Sequence, residues 1–244
     1  MEKQLEHCSL AIVCPMANEQ DSAEQFTLGL LSRCNHFRSV TMFAVLDHIC
    51  HDETLNIMRT LARKEPRLQV VWAPENRCVV DAYVRGYQEA LASKADWILE
   101  IDAGYSHQPD DFIHFLPHIH SEIDCIFGSR FCPGGSISNS SSSRLIVSKL
   151  GSMVSRLLLG VKMSDMTSGY EMFRNTILLN VMDRGIVSRG HFFQTEIKTY
   201  CRNTRWVEVP IHYQNASGSI PRSAWNDAIK GLLRLFILRI RGRL

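Results

Sequence analysis

A chain of 244 residues, 45 % of them hydrophobic and 21 % charged, can form one large α/β domain with a substantial core. Its formal net charge of +2 is too small to favour nucleic acid as a partner. We expect no secretory signal in the polar first residues and no apolar run of the roughly 18–20 residues that cross a bilayer. The eight cysteines form no Cys-x-x-Cys pair, which is typical of reduced thiols in a cytoplasmic protein.

Short apolar runs alternate with helical patterns along the first half of the chain. The runs predict strands at residues 8–14, 40–46, 68–72, 97–101 and 123–127. The patterns between them predict helices at residues 18–32, 52–62 and 78–92. This alternation is typical of βαβ units, so we expect an α/β fold: a mostly parallel twisted sheet flanked by helices in a single Rossmann-like domain.

The second half of the chain is less regular. Residues 133–143 predict a Gly/Ser-rich loop, residues 144–159 a helix and residues 206–213 a strand. A polar turn containing Pro109 is expected to lead into a further helix. We place one catalytic domain at residues 1–221 and a separate C-terminal helix at residues 222–244.

The C-terminal segment has an amphipathic, basic pattern. Its apolar residues recur at helical spacing, at Ile229, Leu232, Leu233, Phe236, Ile237 and Ile240. Lys230, Arg234 and Arg241 are predicted on the opposite side. Such a helix can lie in the plane of an anionic membrane surface, and the alternative is a helix packed on the domain or on a partner subunit.

Polar residues follow three of the predicted strands. Glu19 follows the first strand, Asp47 follows the second and Asp102 follows the fourth. The carboxyl ends of parallel strands meet at one edge, where open α/β sheets bind their ligands. We therefore expect the functional site at this edge. Asp residues in such places also act as helix caps, which is the simpler interpretation of any one of them.

An ordered set of segments resembles the motifs of the family-2 glycosyltransferases, and most closely their dolichyl-phosphate mannose synthase branch. The segments are Pro15-Met-Ala-Asn-Glu19, Asp47 to Thr54, Asp102 to His107, Gly128-Ser-Arg-Phe131, Arg144 to Ser148 and Asp165 to Tyr170. The resemblance extends over roughly residues 8–215. It implies a glycosyltransferase-A fold and transfer of a sugar from a nucleotide-sugar donor to a polyprenyl (dolichyl-type) phosphate.

On the donor side, the resemblance implies that Pro15, Glu19, Asp47, Asp102 and Ala103 contact the nucleotide sugar. It also implies a divalent cation, Mg²⁺ or Mn²⁺, bound at Asp102. The family's turn carries Asp-x-Asp, and the second Asp is replaced here.

Gly104 stands at that second position. A single remaining carboxylate leaves two possibilities open, a transferase with weak metal dependence or one with a different donor. Mg²⁺ keeps several waters and substrate phosphates as ligands, so one carboxylate can suffice at reduced affinity.

On the acceptor side, the resemblance implies that Arg130, Arg144 and Ser148 hold a phosphate, with Asp102 and Arg130 as the catalytic pair. Physical chemistry supports this independently. Arg144 and Ser148 are one helical turn apart at a predicted helix start, where backbone N–H groups favour an anion. With a lipid acceptor, we expect the protein to sit peripherally on the cytoplasmic face of a membrane.

Two other functions stay open. A sugar hydroxyl acceptor, as in polysaccharide or glycolipid assembly, would need a general base, for which Asp165 and Glu196 are the candidates. A catalytically silent subunit that binds nucleotide sugars is the second alternative, because Gly104 and His48 depart from the family pattern.

Overall fold

The computed structural model describes residues 5–139, 142–214 and 222–244, without the side chains of residues 142–147 and 222–224. Its strands are β1 (Ser9–Pro15), β2 (Ser39–Leu46), β3 (Leu68–Trp72), β4 (Trp97–Glu100), β5 (Cys125–Ser129), β6 (Ser136–Ser138), β7 (Glu171–Arg174), β8 (Trp206–Pro210) and β9 (His212–Gln214). Its α-helices are α1 (Ala23–Arg33), α2 (Thr54–Ala62), α3 (Val79–Ala92), α4 (Ser142–Leu159), α5 (Asn175–Arg184), α6 (Phe193–Tyr200) and α7 (Arg222–Ile240).

Seven strands form one sheet in the order β3-β2-β1-β4-β7-β5-β8, and β6 and β9 form a small second sheet. All neighbours in the large sheet are parallel except β7, which is antiparallel to both β4 and β5. The carboxyl ends of β1, β2 and β4 therefore meet at one edge. The predicted fold class, a mostly parallel α/β sheet flanked by helices, is confirmed.

The central strands are buried on both faces, which explains why they read as continuous apolar runs. One apolar cluster covers each face of the sheet. Helix α3 lies especially close to β1 because Gly86 has no side chain. A Cβ added there would come within 2.3 Å of Val13 Cγ1.

Several predicted elements differ from those observed. Helix α1 begins at Ala23 rather than residue 18, because Asn18 has a φ of +59°, outside the α-helical region. Thr54 and Asp52 accept the backbone N–H groups of Glu19 and Gln20 in the turn that follows. The single strand predicted at 206–213 divides into β8 and β9, which pair with β5 and β6 in different sheets.

The remaining differences lie between β4 and β8. The helix predicted after Pro109 is two 3₁₀ segments, Pro109–His114 and Leu116–His118, with Pro117 inside the second. The Gly/Ser-rich loop contains β6. Strand β7 and helices α5 and α6 were not predicted.

A buried charge network lies beneath the end of β4. Glu100 and Glu171 are directly opposite each other on β4 and β7, and with Lys198 of α6 they are fully buried. Lys198 Nζ lies 2.8 Å from Glu171 Oε1. Tyr87 and Gln194 donate hydrogen bonds to the Glu100 carboxyl group. Burial raises the pKa of both carboxyl groups, that of Glu171 to about 7.

We predict that this network makes stability fall as pH rises. The pKa of Glu171 is about 7 in the folded protein against an ordinary 4.5, so between these values the native state holds a proton that the unfolded chain has lost. The free energy of unfolding therefore decreases as pH rises through this window. Urea unfolding at pH 5 and pH 7.5 should show a smaller loss in Glu171→Gln than in wild type. The exposed control Glu24→Gln should behave as wild type, and equal losses in wild type and Glu171→Gln would contradict the prediction.

Candidate active site

The loops that follow β1 and β2 are tied together at the carboxyl edge of the sheet. Asn18 Oδ1 accepts a hydrogen bond from the His51 backbone N–H at 2.9 Å. Thr54 Oγ1 accepts one from the Glu19 N–H at 2.7 Å, and Asn18 Nδ2 donates to the Ile49 carbonyl at 3.1 Å. These bonds between loops far apart in sequence fix the rim of the site.

Asp102 lies just beyond β4, and its carboxylate is held from two sides. Tyr83 donates its hydroxyl to Oδ1, and His107 Nδ1 lies 3.2 Å from Oδ2. Its burial opposes ionisation, but the contacts with His107 and Tyr83 outweigh this and hold the pKa of Asp102 below its ordinary value. The side chain is still 43 % exposed. Asp102 is therefore a fixed anion that faces solvent.

The other residues predicted to bind the donor lie along the same edge. Pro15 is the last residue of β1, and Ala103 packs against the core directly after Asp102. Asp47 is buried, and its Oδ1 accepts the Ile49 N–H at 2.9 Å, so it also shapes its own turn. Glu19 is half-buried beside Gly104. The structure thus places these residues together, while their contact with a donor stays a prediction.

Arg130, at the end of β5, forms a buried ion pair with Asp165. Arg130 Nε lies 2.6 Å from Oδ2 and Nη2 lies 2.7 Å from Oδ1, a bidentate fork. The Arg130 backbone N–H donates to the same carboxylate, and Nη2 also donates to Thr167 Oγ1. Burial opposes ionisation of Asp165, but Arg130 holds its pKa well below the usual range. Asp165 is therefore an orienting anion for Arg130, which does not suit the role of a general base.

Glu196, the other candidate base, is also engaged. Its carboxylate accepts hydrogen bonds from Ser188 Oγ at 2.6 Å and Tyr200 Oη at 2.9 Å, and it pairs with Arg234 of α7. Burial opposes its ionisation, but these bonds outweigh it and hold the pKa of Glu196 below its ordinary value. A carboxylate with so many donors is a poor proton acceptor.

A cavity of about 650 Å³ joins the two halves of the site. Asp102, His107, Arg130 and Ser148 line it, and it extends between α4 and α7. The walls away from Asp102 are largely apolar, being formed by Leu150, Val154, Trp225, Ile229 and Leu232. The arrangement is a charged end, formed by Asp102 and Arg130, joined to an apolar groove.

The structure brings Asp102, Arg130 and Ser148 together, as the sequence predicted. Arg144 lies in α4 one helical turn before Ser148, but its side chain is outside the described part of the chain. The sequence missed Tyr83 and the contact of His107 with Asp102. Tyr83 lies on the apolar face of a helix, and such a position does not indicate a polar role. His107 follows Asp102 by five residues in the same turn, so its proximity to that carboxylate could have been predicted.

A divalent cation bound together with a nucleoside diphosphate needs few protein ligands, because phosphate oxygens and water complete its shell. Among the described residues no group of three or more His, Cys, Asp or Glu side chains is placed to hold a metal alone. The Glu19 carboxylate nevertheless lies against Gly104, two residues after Asp102. This donor set fits a cation that a diphosphate brings with it.

The carboxyl edge of this α/β sheet presents an ionised carboxylate, Asp102, and a buried arginine, Arg130, on one cavity. Structural similarity supports the fold. Glucosyl-3-phosphoglycerate synthase from Mycobacterium tuberculosis, in complex with uridine diphosphate, matches with a TM-score of 0.66 and 15 % identity over 96 % of this chain and 82 % of that one. The same enzyme with Mn²⁺, UDP-glucose and phosphoglyceric acid gives a TM-score of 0.65 at 15 % identity, with the same coverage of both chains.

Sequence similarity identifies the family. The profile of glycosyl transferase family 2 matches residues 11–181. The undecaprenyl-phosphate mannosyltransferase of Micrococcus luteus is 32 % identical over 82 % of this chain and 82 % of its own length. The polyprenol monophosphomannose synthase of Mycolicibacterium smegmatis is 27 % identical over 96 % of this chain and 88 % of its own length. The chain belongs to glycosyltransferase family 2.

We predict that the Arg130–Asp165 pair contributes strongly to the free energy of unfolding. Asp165→Ala leaves a buried guanidinium without its partner, which costs about 3–5 kcal/mol in free energy of unfolding. Asp110→Ala is the matched control, because it breaks the Arg33–Asp110 pair, whose side chains are 42 % and 76 % exposed. Exposed pairs contribute about 0–1 kcal/mol. Equal losses in urea unfolding of the two variants would contradict the assigned role of the pair.

Proposed function

We propose that this glycosyltransferase moves a sugar from a nucleotide-sugar donor to a polyprenyl phosphate. The observation that carries the proposal is the cavity, in which Asp102 and Arg130 lie at one end of an apolar groove between α4 and α7. An acceptor with a charged phosphate and a long hydrocarbon chain matches this cavity, because the phosphate suits Arg130 and the chain suits the apolar groove. The relatives named for undecaprenyl-phosphate and polyprenol substrates support this choice, with mannose as the first sugar to test.

In the proposed donor half, Pro15, Glu19, Asp47, Asp102 and Ala103 contact the nucleotide sugar. All five lie at the carboxyl edge of β1, β2 and β4. A Mg²⁺ or Mn²⁺ ion at Asp102 would neutralise charge on the leaving diphosphate. The hydrogen bond from Tyr83 and the adjacent His107 ring orient the Asp102 carboxylate for this contact.

In the proposed acceptor half, Arg130, Arg144 and Ser148 hold the lipid phosphate. Asp165 presents Arg130 at a fixed position beside the cavity, and Ser148 lines the same cavity. A phosphate oxygen then attacks the anomeric carbon, and the bond from that carbon to the diphosphate breaks on the opposite face.

A phosphate is already anionic near pH 7, so this attack needs no general base. The engagement of Asp165 with Arg130 and of Glu196 with Ser188 therefore favours a phosphate over a sugar hydroxyl as the acceptor.

We further propose that α7 and α4 together contact the membrane, with residues 1–221 as the catalytic domain and residues 222–244 as the attached helix. No helix in the described ranges is long and apolar enough to span a bilayer. Both helices carry exposed apolar side chains at helical spacing: Leu150, Met153 and Leu157 on α4, and Ile229, Leu233, Ile237 and Ile240 on α7. Lys149, Arg156, Lys230 and Arg241 are exposed on the same helices and their ends, which suits anionic lipid on a cytoplasmic membrane face.

The C-terminal helix differs in detail from the predicted stripe. Leu235 is buried in the core, so α7 also packs on the domain. Arg234, which was predicted on the side opposite the apolar stripe, pairs with Glu196 of the domain. The helix thus combines the two arrangements that the sequence left open, domain packing on one side and exposed apolar residues on the other.

The proposed reaction makes a direct prediction. Wild-type protein with nucleotide sugars and a short polyprenyl phosphate should yield a glycosylated lipid phosphate and nucleoside diphosphate, and the polyprenol without phosphate should not react.

Asp102→Asn should lower kcat/KM about 10²–10³-fold, since it removes charge from the donor site. The exposed Asp21→Asn serves as the control.

Mass spectrometry of the products separates the alternatives. Transfer to a sugar hydroxyl would favour the polysaccharide or glycolipid role. Nucleotide binding without any turnover would favour a silent binding subunit, which the departures at Gly104 and His48 first raised.

The membrane contact is tested by exposed substitutions that leave the core intact. Ile229 and Leu233 are each 54 % exposed, so Ile229→Asp/Leu233→Asp should retain the fold and lose most sedimentation with anionic phosphatidylglycerol vesicles. Ile113→Asp is the control, because Ile113 is 62 % exposed on a 3₁₀ segment outside α4 and α7. Unchanged sedimentation of the double variant would refute the contact.

A further inference from the structure

The Glu19 carboxylate lies where a side chain on Gly104 would be. Its φ is +74°, a backbone conformation that favours glycine. An ideal Cβ on Gly104 would lie 2.4 Å from Glu19 Oε1 and 2.6 Å from Oε2. An aspartate's own oxygens lie roughly 2.4 Å from its Cβ, as follows from bond lengths of about 1.5 and 1.2 Å. The Glu19 carboxylate therefore fills the space that a side chain at position 104 would take.

Two contacts fix Glu19 in this place. Its backbone N–H donates to Thr54 Oγ1 at 2.7 Å, and its Oε2 accepts a hydrogen bond from Ser22 Oγ at 2.9 Å. Within the described part of the chain, Oε1 has no hydrogen-bond donor, and the residue is half-buried rather than enclosed. Glu19 thus presents one oxygen of a positioned carboxylate across the Gly104 turn.

This position matters because Asp102 lies two residues before Gly104 in the same turn. Ile101 donates its N–H to the Val13 carbonyl, so the end of β4 is held beside β1 just before the β1 loop reaches Glu19. The two carboxylates come from neighbouring strand ends. Carboxylate oxygens are the ligands that Mg²⁺ and Mn²⁺ favour, and a diphosphate supplies further oxygens.

We propose that Glu19 supplies the second carboxylate for a divalent cation bound with the donor diphosphate, in place of the side chain that Gly104 lacks. The inference rests on the proposed use of a nucleotide-sugar donor. It changes the role proposed for Glu19 from contact with the nucleotide sugar itself to contact with the cation. A side chain at position 104 would displace the Glu19 carboxylate from this place.

The test measures how much Mn²⁺ strengthens nucleotide binding, which we call the coupling, rather than transfer activity. Dissociation constants for uridine diphosphate and guanosine diphosphate are measured by calorimetry with Mn²⁺ and with EDTA, and bound Mn²⁺ is counted by electron paramagnetic resonance. Glu19→Gln keeps the shape and the Ser22 contact but loses the charge. The control Glu24→Gln removes an exposed charge from the first turn of α1.

In wild type, Mn²⁺ should tighten binding of at least one of the two diphosphates. In Glu19→Gln that gain should fall about tenfold, the lower end of what lost metal-site contacts cost. Its affinity in EDTA should stay at the wild-type value, and Glu24→Gln should match wild type in both conditions.

Two results would overturn the inference. An equal loss of affinity for Glu19→Gln in EDTA and in Mn²⁺ would place Glu19 on the base or ribose. Absence of coupling in wild type would show that no such cation site exists, while transfer activity in EDTA would still uphold the proposed function. Conversely, coupling that depends on Glu19, without any transfer to polyprenyl phosphate, would reject the proposed acceptor and retain the Glu19 site.

Discussion

The site depends on the buried pair between Arg130 and Asp165. It joins the end of β5 to the loop that precedes β7, two segments far apart in sequence that the sheet places side by side. The Asp165 carboxylate has no exposure and the Arg130 side chain only 9 %, so neither charge is stable there without the other. The pair holds a guanidinium at the edge of the cavity in one orientation. A flexible arginine would lose more side-chain entropy on binding a phosphate.

The proposed donor half depends on a repeated contact between two tyrosines of α3 and two carboxyl groups at the end of β4. Glu100 and Asp102 are two residues apart and therefore point to the same face of the chain at the end of β4. Tyr87 and Tyr83 are one helical turn apart on α3, and each donates its hydroxyl to one of these carboxyl groups. The inner group is fully buried and its pKa is raised, whereas the outer one is partly exposed and its pKa is lowered. The same helix and strand thus hold a buried carboxyl group and, one step outward, the partly exposed carboxylate of the site.

Much of the fold and part of the site could be predicted from the sequence. Strands buried on both faces are visible as apolar runs, and polar residues after them marked the edge where Glu19, Asp47 and Asp102 meet. Strand β7 was missed because it has four residues, and its terminal charges are Glu171 and Arg174. Its burial depends on Lys198 from a later helix, which no local pattern reveals. The contact of Glu19 with Gly104 is likewise visible only in three dimensions, since it joins the ends of two strands.

The central claim is that one cavity joins a donor half at Asp102 to an acceptor half at Arg130. The most direct test is a crystal structure with a nucleoside diphosphate and a short-chain polyprenyl phosphate bound together. The account predicts the diphosphate beside Asp102 at the carboxyl edge of β1 and β4, the lipid phosphate within hydrogen-bond distance of Arg130 or Ser148, and the hydrocarbon chain between α4 and α7. A diphosphate seated in the groove between α4 and α7, or a lipid phosphate far from Arg130, would contradict it.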